Sequence, residues 1–331
     1  MDIKRRRALQ GLGALGLTGL PGMQSAYAAD EPWPTRPVNY VVPFTPGGST
    51  DVIGRTLSQK LAEALGQPFV VDNRPGAAGA VGASYVAKAK PDGYTLFGGT
   101  ISTHAINASL YKNLPYDPVK DFEPVTLVAF LPNVLIVDPN LGVNTVAELV
   151  ALLKRDASKR SFASSGAGTS THLAGEMFAD LIGVKLTHIP YKGTPPAMLD
   201  VSSGVVPFMF DQMTAAVSLA QAGKLKVIAV TTAKRMALAP QLPTMIESGI
   251  KGFDVASWQA VYAPKGTPAA IVQKLNAEIG KILRTPDIRD KLSTQLGMEI
   301  VAGGPAELAA LMAKEIPRWG ELVRKSGATP G

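Results

Sequence analysis

Two short stretches hold the residues best suited to chemistry. Phe44-Thr45-Pro46-Gly47-Gly48-Ser49-Thr50-Asp51 and Ser164-Ser165-Gly166-Ala167-Gly168-Thr169-Ser170-Thr171-His172 are both rich in glycine, serine and threonine, and neither carries a lysine or an arginine. Set between a strand and a helix, such a stretch presents main-chain N–H groups that the first helical turn leaves without partners. The helix dipole adds roughly half a positive charge at the same end. Together these make an anion site without any basic side chain. Covalent catalysis lacks its parts. Ser165 stands in Ser-Ser-Gly-Ala-Gly rather than at a G-x-S-x-G elbow, and no such elbow occurs in the chain. Gly47-Gly48 is followed by Ser-Thr-Asp, without the lysine of a phosphate loop.

The elements that must carry these loops follow from hydrophobic spacing. A strand is expected over 38–44, then a helix in which Ile53, Leu57, Leu61 and Leu65 recur every fourth residue until Gly66 and Pro68 stop it. A strand over 69–71, a helix over 77–88 and a strand over 94–97 complete a β-α-β-α-β run. The last strand is entered through the turn Pro91-Asp92-Gly93. After a long apolar stretch over 125–137 the pattern starts again. Strands are expected over 161–164, 185–189, 205–210 and 225–230, and helices around Leu173-Met177-Leu181, near Met198, and between the last two strands. Two α/β halves are implied, each with a mostly parallel sheet, and ligands of such sheets sit at the carboxyl ends of the strands. Both polar stretches fall at that edge.

Composition narrows the class. With 46% hydrophobic and 18% charged residues among 331, the chain has material for a large core. Lys4-Arg5-Arg6-Arg7, a glycine-rich apolar stretch and Ala26-Tyr27-Ala28 read as a signal peptide over 1–28, cleaved after Ala28, with the twin-arginine and Sec routes both open. That segment supplies +3 of the formal charge of +7, and the rest is scattered without a basic run, so no nucleic-acid partner is expected. There are no cysteines, which excludes disulfides and thiolate chemistry. His172 and Glu176 stand four apart on one expected helix. With only His104 and His188 besides, no metal site and no cofactor are expected. Asp51 fits a helix cap as well as a ligand contact, and Arg74 fits a locked turn before Pro75-Gly76. Tyr191, Asp211 and Trp258 lie near strand ends, where cleft lining and core packing are both open.

Ordered motifs then add a resemblance. The run from Tyr40 through Asp51, Val71-Asp72-Asn73-Arg74-Pro75-Gly76, Pro91-Asp92-Gly93-Tyr94, Ser164-Ser165-Gly166-Ala167-Gly168-Thr169, His172-Leu173-Ala174-Gly175-Glu176 and Pro190-Tyr191-Lys192-Gly193 resemble the tripartite tricarboxylate transporter receptor family. These are the Bug-type extracytoplasmic solute-binding proteins. Phe210-Asp211, Ala222-Gly223-Lys224-Leu225, Ser257-Trp258 and Ala263-Pro264-Lys265-Gly266-Thr267-Pro268 agree with it in order. Pro195-Pro196 departs from a commoner single proline.

The resemblance implies an α/β, two-lobed periplasmic binding protein of type II, the Venus-flytrap kind, with two hinge crossings near 125–137 and 253–264. The lobes would be 29–130 with 254–331, and 131–253. It implies a receptor, not an enzyme. The receptor would hold a small carboxylate in an interlobe cleft, act as a monomer in the periplasm, and deliver the ligand to membrane transporter subunits. A sensor feeding a membrane kinase is the alternative, and a hydrolase the remoter one. The expected ligand contacts are Phe44, Pro46, Gly47, Gly48, Ser49, Thr50 and Asp51 from the first loop, and Ser164, Ser165, Gly166, Gly168 and Thr169 from the second. Tyr191 and Asp211 at the strand ends complete the set.

Overall fold

Apolar residues at every third or fourth position bury one face of each long helix, and alternating or continuous apolar runs make the strands. A computed structural model describes residues 33–330. The expected signal peptide over 1–28 and the start of the first lobe lie outside the described residues. The first helix illustrates the local rule. In α1 (Ser49–Leu65), after strand β1 (Val38–Val42), Ile53, Leu57 and Leu61 are buried, and Gly66 closes the helix at φ 71, its N–H donating to the Ala62 carbonyl at 3.0 Å. β1 stops before Pro43, which has no N–H for a ladder.

From there the chain runs β2 (Phe69–Asn73), a tight turn Ala77–Gly79, α2 (Ala80–Ala87), β3 (Thr95–Thr100), a wide turn Ser102–Ile106 and α3 (Asn107–Leu110). The helix expected from residue 77 starts later because Ala77, Ala78 and Gly79 take left-handed conformations, φ 49, 51 and 85. The sixteen-residue strand β4 (Phe122–Val137) follows. Then come α4 (Val146–Arg155), β5 (Ser161–Ser164), α5 (Ser170–Ile182), β6 (Thr187–Pro190), α6 (Thr194–Ser202), β7 (Phe208–Gln212), α7 (Met213–Gln221) and β8 (Lys226–Val230). β7 begins only after Pro207, while Val205 stays exposed. The chain closes with β9 (Ala256–Pro264), α8 (Ala269–Arg284), α9 (Pro286–Arg289), β10 (Glu299–Gly303) and α10 (Pro305–Ser326). Pro195 and Pro196 sit in the first turn of α6, where a missing N–H costs nothing.

Among the described residues all ten strands join one sheet in the order β2-β1-β3-β9-β4-β7-β5-β6, with β8 and β10 also on β4. The parallel ladders expected in each half are β2-β1-β3 and β6-β5-β7. The middle is antiparallel, because the segments expected to cross between halves are the paired strands β4 and β9. β4 changes partners along its length. Phe122 to Pro132 pairs with β9, and Asn133 to Val137 with β7. One core cluster nevertheless runs from Phe97 and Phe122 through Trp258 to Phe178 and Phe208, and α10 packs on β4, α3 and α5. A second cluster, around Val134, Met198, Met209 and Val230, lies on the α6 and α7 side of the sheet.

α5 sits so close to β5 that a Cβ on Gly175 would strike the Phe162 ring. Gly175→Ala is therefore expected to lower stability by about 1–3 kcal/mol through overpacking, read as a shifted midpoint in urea unfolding.

Candidate functional site

The carboxyl ends of β1, β5 and β6 pass through short loops into α1, α5 and α6, and β7 passes directly into α7. The N-terminal flanking residues of those helices are Gly48 for α1, Thr169 for α5, Gly193 for α6 and Gln212 for α7. All four line one cup of about 30 Å3, which also receives Thr100, Ser102, Ser257 and Gln259 from β3, its following turn and β9. That volume fits about one or two oxygen-sized groups. The lining has ten hydroxyl side chains, two carboxamides and no charged side chain. α1 and α7 have no side-chain cap, so their first-turn N–H groups are left for whatever enters, while α6, also uncapped, offers the N–H of Thr194 alone because Pro195 and Pro196 have none. Bonds span the cup between distant parts of the chain. Ser49 Oγ donates to Gln212 Oε1 at 3.3 Å, Gln259 Nε2 to Thr50 Oγ1 at 2.8 Å, and the Ser170 N–H to Ser102 Oγ at 3.4 Å.

Of the residues expected from sequence, the structure brings Phe44, Gly48, Ser49, Thr50, Ser165 and Thr169 together in this cup. Gly166 and Tyr191 line a larger neighbouring space of about 550 Å3 that shares Phe44, Ser165 and Gly193 with the cup. Its lip is the left-handed turn at Ala77 and Ala78. Tyr191 donates its hydroxyl to Asp200 at 2.6 Å. Pro46 and Gly47 shape the first loop from outside the lining. Asp51 braces it, accepting from the Gly47 N–H at 3.0 Å, Arg55 Nε at 2.9 Å and Asn73 Nδ2 at 2.9 Å. Burial works to raise its pKa, but the bonds from Arg55, Gly47 and Asn73 outweigh it and hold the carboxyl below the usual range.

The second loop is braced by two stacked imidazoles, His172 and His188, with ring centroids 3.7 Å apart. His172 Nδ1 accepts the Gly168 N–H at 3.0 Å, which leaves Nε2 facing Glu176 at 3.4 Å. His188 Nε2 lies 2.6 Å from Ser164 Oγ. Ser164 and Gly168 thus set the loop's shape, and a Cβ at Gly168 would strike Leu110. Among the described residues no group of three acidic, histidine or cysteine side chains gathers to hold a metal. Asp211 is fully buried behind the cup, where it accepts from Thr194 and from the Gln212 N–H.

Thr45, Thr100, Ser102, Ser170, Gly193, Thr194, Gln212, Ser257 and Gln259 were not singled out as contacts from the sequence. Gly193 before Thr194-Pro195 carried a readable signal, a helix start with proline in its first turn. The strand-end residues carried none.

This fold, with its polar cup at the strand ends, is that of the α/β periplasmic binding proteins. The solved periplasmic binding protein BugD superposes with a TM-score of 0.85, 41% identity and coverage of 90% of this chain and 99% of that one. R. palustris Rpa4515, solved with adipate, gives a TM-score of 0.87 at 40% identity over 90% of this chain and all of its own. The protein BugT of Bordetella pertussis is 37% identical over 93% of this chain and 94% of its own length. The family description "Tripartite tricarboxylate transporter family receptor" matches residues 53–328, and the chain belongs to that family of solute-binding receptors.

Burial, with His172 stacked alongside, lowers the His188 pKa to about 3 from 6.5. The unfolded chain binds a proton there that the folded one refuses, so stability is full above pH 6.5 and falls as pH drops toward about 3. The melting temperature of the wild type is expected to fall more steeply across that window than that of His188→Gln, measured by circular dichroism.

Proposed function

We propose that the cup holds the carboxylate of a small organic acid, and that the protein captures this solute outside the cytoplasm for a tripartite membrane transporter. The observation that carries the reading is the meeting of four helix N-termini on a cup without charged side chains. Hydroxyls and N–H groups can surround both oxygens, while a lysine or arginine would add bulk in a space this small. The adipate bound to Rpa4515 supports the same ligand class. The neighbouring space, with Tyr111, Tyr191 and Lys192 on its wall, takes the rest of the ligand and reads its identity. The contacts proposed from the first loop are Phe44, Gly48, Ser49 and Thr50, and those from the second are Ser165 and Thr169. Thr194 and Gln212 join them, and Asp51, Ser164, Gly168 and Asp211 act from behind.

The lobes proposed are 29–130 with 254–331, and 131–253. The change of β4 partners between Pro132 and Asn133 supports that division. The lobes close on the ligand by hinge motion, as is usual for such binders. The segment 1–28 directs export and is removed, and the mature protein works as a single chain that hands its ligand to membrane subunits.

Four hydrogen bonds to a carboxylate at roughly 1.5–3 kcal/mol each, less the cost of immobilisation, leave affinity near the micromolar range. Titration calorimetry with adipate and its dimethyl ester is the test. The acid is expected to bind and the ester to bind at least about a hundredfold more weakly, since the helix termini then face a neutral group. Equal binding of the two would overturn the anion reading. Gly48 has φ −80, which proline also adopts, so Gly48→Pro removes an N–H at a backbone angle that its ring permits. It is expected to weaken adipate binding by about tenfold or more, against about fivefold for Ser49→Ala.

A further inference from the structure

Asp211 is the penultimate residue of β7, just before Gln212, and none of its side chain reaches solvent. Its Oδ2 accepts the Thr194 hydroxyl at 2.8 Å and its Oδ1 accepts the Gln212 N–H at 2.7 Å. Both donors belong to residues that line the cup. The elements packed on β7 are β4, β5, α5, α6 and α7, and none of them contains a lysine or arginine. Their titratable groups face elsewhere. His172 and Glu176 of α5 pair with each other, Asp180 of α5 is exposed, Asp200 of α6 takes the Tyr191 hydroxyl, and Glu123 of β4 pairs with Lys265. β5 and α7 carry none. Asp211 is therefore a buried acid without a cation, one hydrogen bond behind the place where an anion would sit.

The count of hydrogens decides what that means. Thr194 has a single hydroxyl hydrogen. While Asp211 is ionised, that hydrogen is held on Oδ2, and Thr194 can offer the cup only lone pairs. An entering carboxylate would meet an oxygen with no hydrogen to give and a buried negative charge behind it. Protonation of Asp211 at Oδ2 reverses the bond. The acid now donates to Thr194 Oγ1, and the threonine hydrogen is released toward the cup.

We propose that capture of an anionic solute takes up one proton from solvent on Asp211, with Thr194 turning its hydroxyl hydrogen from Asp211 to the ligand. The proposal rests on the reading of the cup as a carboxylate site, and it makes Asp211 a positioning residue for that ligand. Burial already raises Asp211 from 3.8 to about 7, with the bonds from Thr194 and Gln212 drawing it back only in part. A bound anion raises it further. The complex then keeps its proton where the empty protein has lost it, so affinity is level below about pH 7 and falls by about tenfold per pH unit above. Ligand ionisation does not contribute there, since carboxylic acids titrate near about pH 4.

The test is titration calorimetry of the mature protein with adipate at about pH 8, in buffers of different ionisation enthalpy, together with a pH series from about 6 to about 9. The wild type is expected to take up close to one proton and to follow that slope. In Asp211→Asn, Oδ1 accepts from Gln212 and Nδ2 donates to Thr194, the pattern of the protonated acid. This variant is expected to bind adipate with no proton uptake and a level pH profile, and so more tightly than wild type at high pH. The wild-type arm decides without any variant: adipate binding whose heat is independent of buffer overturns the proposal while leaving the carboxylate site intact. An unchanged slope in folded Asp211→Asn overturns it too, by moving the proton to another group. Failure of adipate and every other carboxylate to bind either protein would instead overturn the anion reading itself.

Discussion

The positive ends of α1, α5, α6 and α7 meet in one small space, and like ends of dipoles repel. No charged side chain lines the space itself, and the two carboxyls at these termini, Asp51 at α1 and Asp211 at α7, lie behind it and offset the repulsion only in part. The sheet must therefore hold the four termini together. β1, β5 and β7 lie in register with neighbours on both sides or with a long partner strand, and they aim their exits at one edge. The apolar clusters on both faces of the sheet supply the stability that this convergence takes away. Strain of this kind is relieved when a negative group arrives, which is a reason for a binding site to be built from helix termini rather than from salt bridges.

Short side chains are the corollary. A cup bounded by serine, threonine and glycine lets backbones approach closely, and each hydroxyl can donate or accept as its neighbour demands. The loops are stiffened from behind by charged and aromatic groups kept out of the cup: Asp51 with Arg55 and Asn73 under the first, the stacked His172 and His188 under the second. Recognition and bracing are thus divided between two shells of different chemistry.

Much of this was legible in the sequence. The two Gly/Ser/Thr stretches stand at strand-to-helix junctions as their composition requires, and Ile53, Leu57 and Leu61 mark the buried face of α1. What stayed hidden has physical causes. Gln212, Ser257 and Gln259 sit at or within strands, where no turn or cap signal distinguishes a cup-facing residue from a buried one. α7 begins at a glutamine with no capping side chain. α4 did carry a local signal, Thr145 three residues before Glu148, with Glu148 N–H on Thr145 Oγ1 at 3.2 Å and the Glu148 carboxylate reaching back to the Asn144 N–H. The antiparallel middle of the sheet depends on which strands meet across more than a hundred residues, and period-two spacing carries no information on partners.

The place of β9 in that sheet bears on how the chain is made. β3 and β4 never touch as strands: the slot between them is filled by a segment that leaves the ribosome more than a hundred residues after either. Until then both strands present open edges, which are templates for pairing with other chains. A nascent or truncated chain ending before Ala256 is thus caught with its middle strand missing. Any machinery that shields the polypeptide must do so until nearly the whole length has been synthesised.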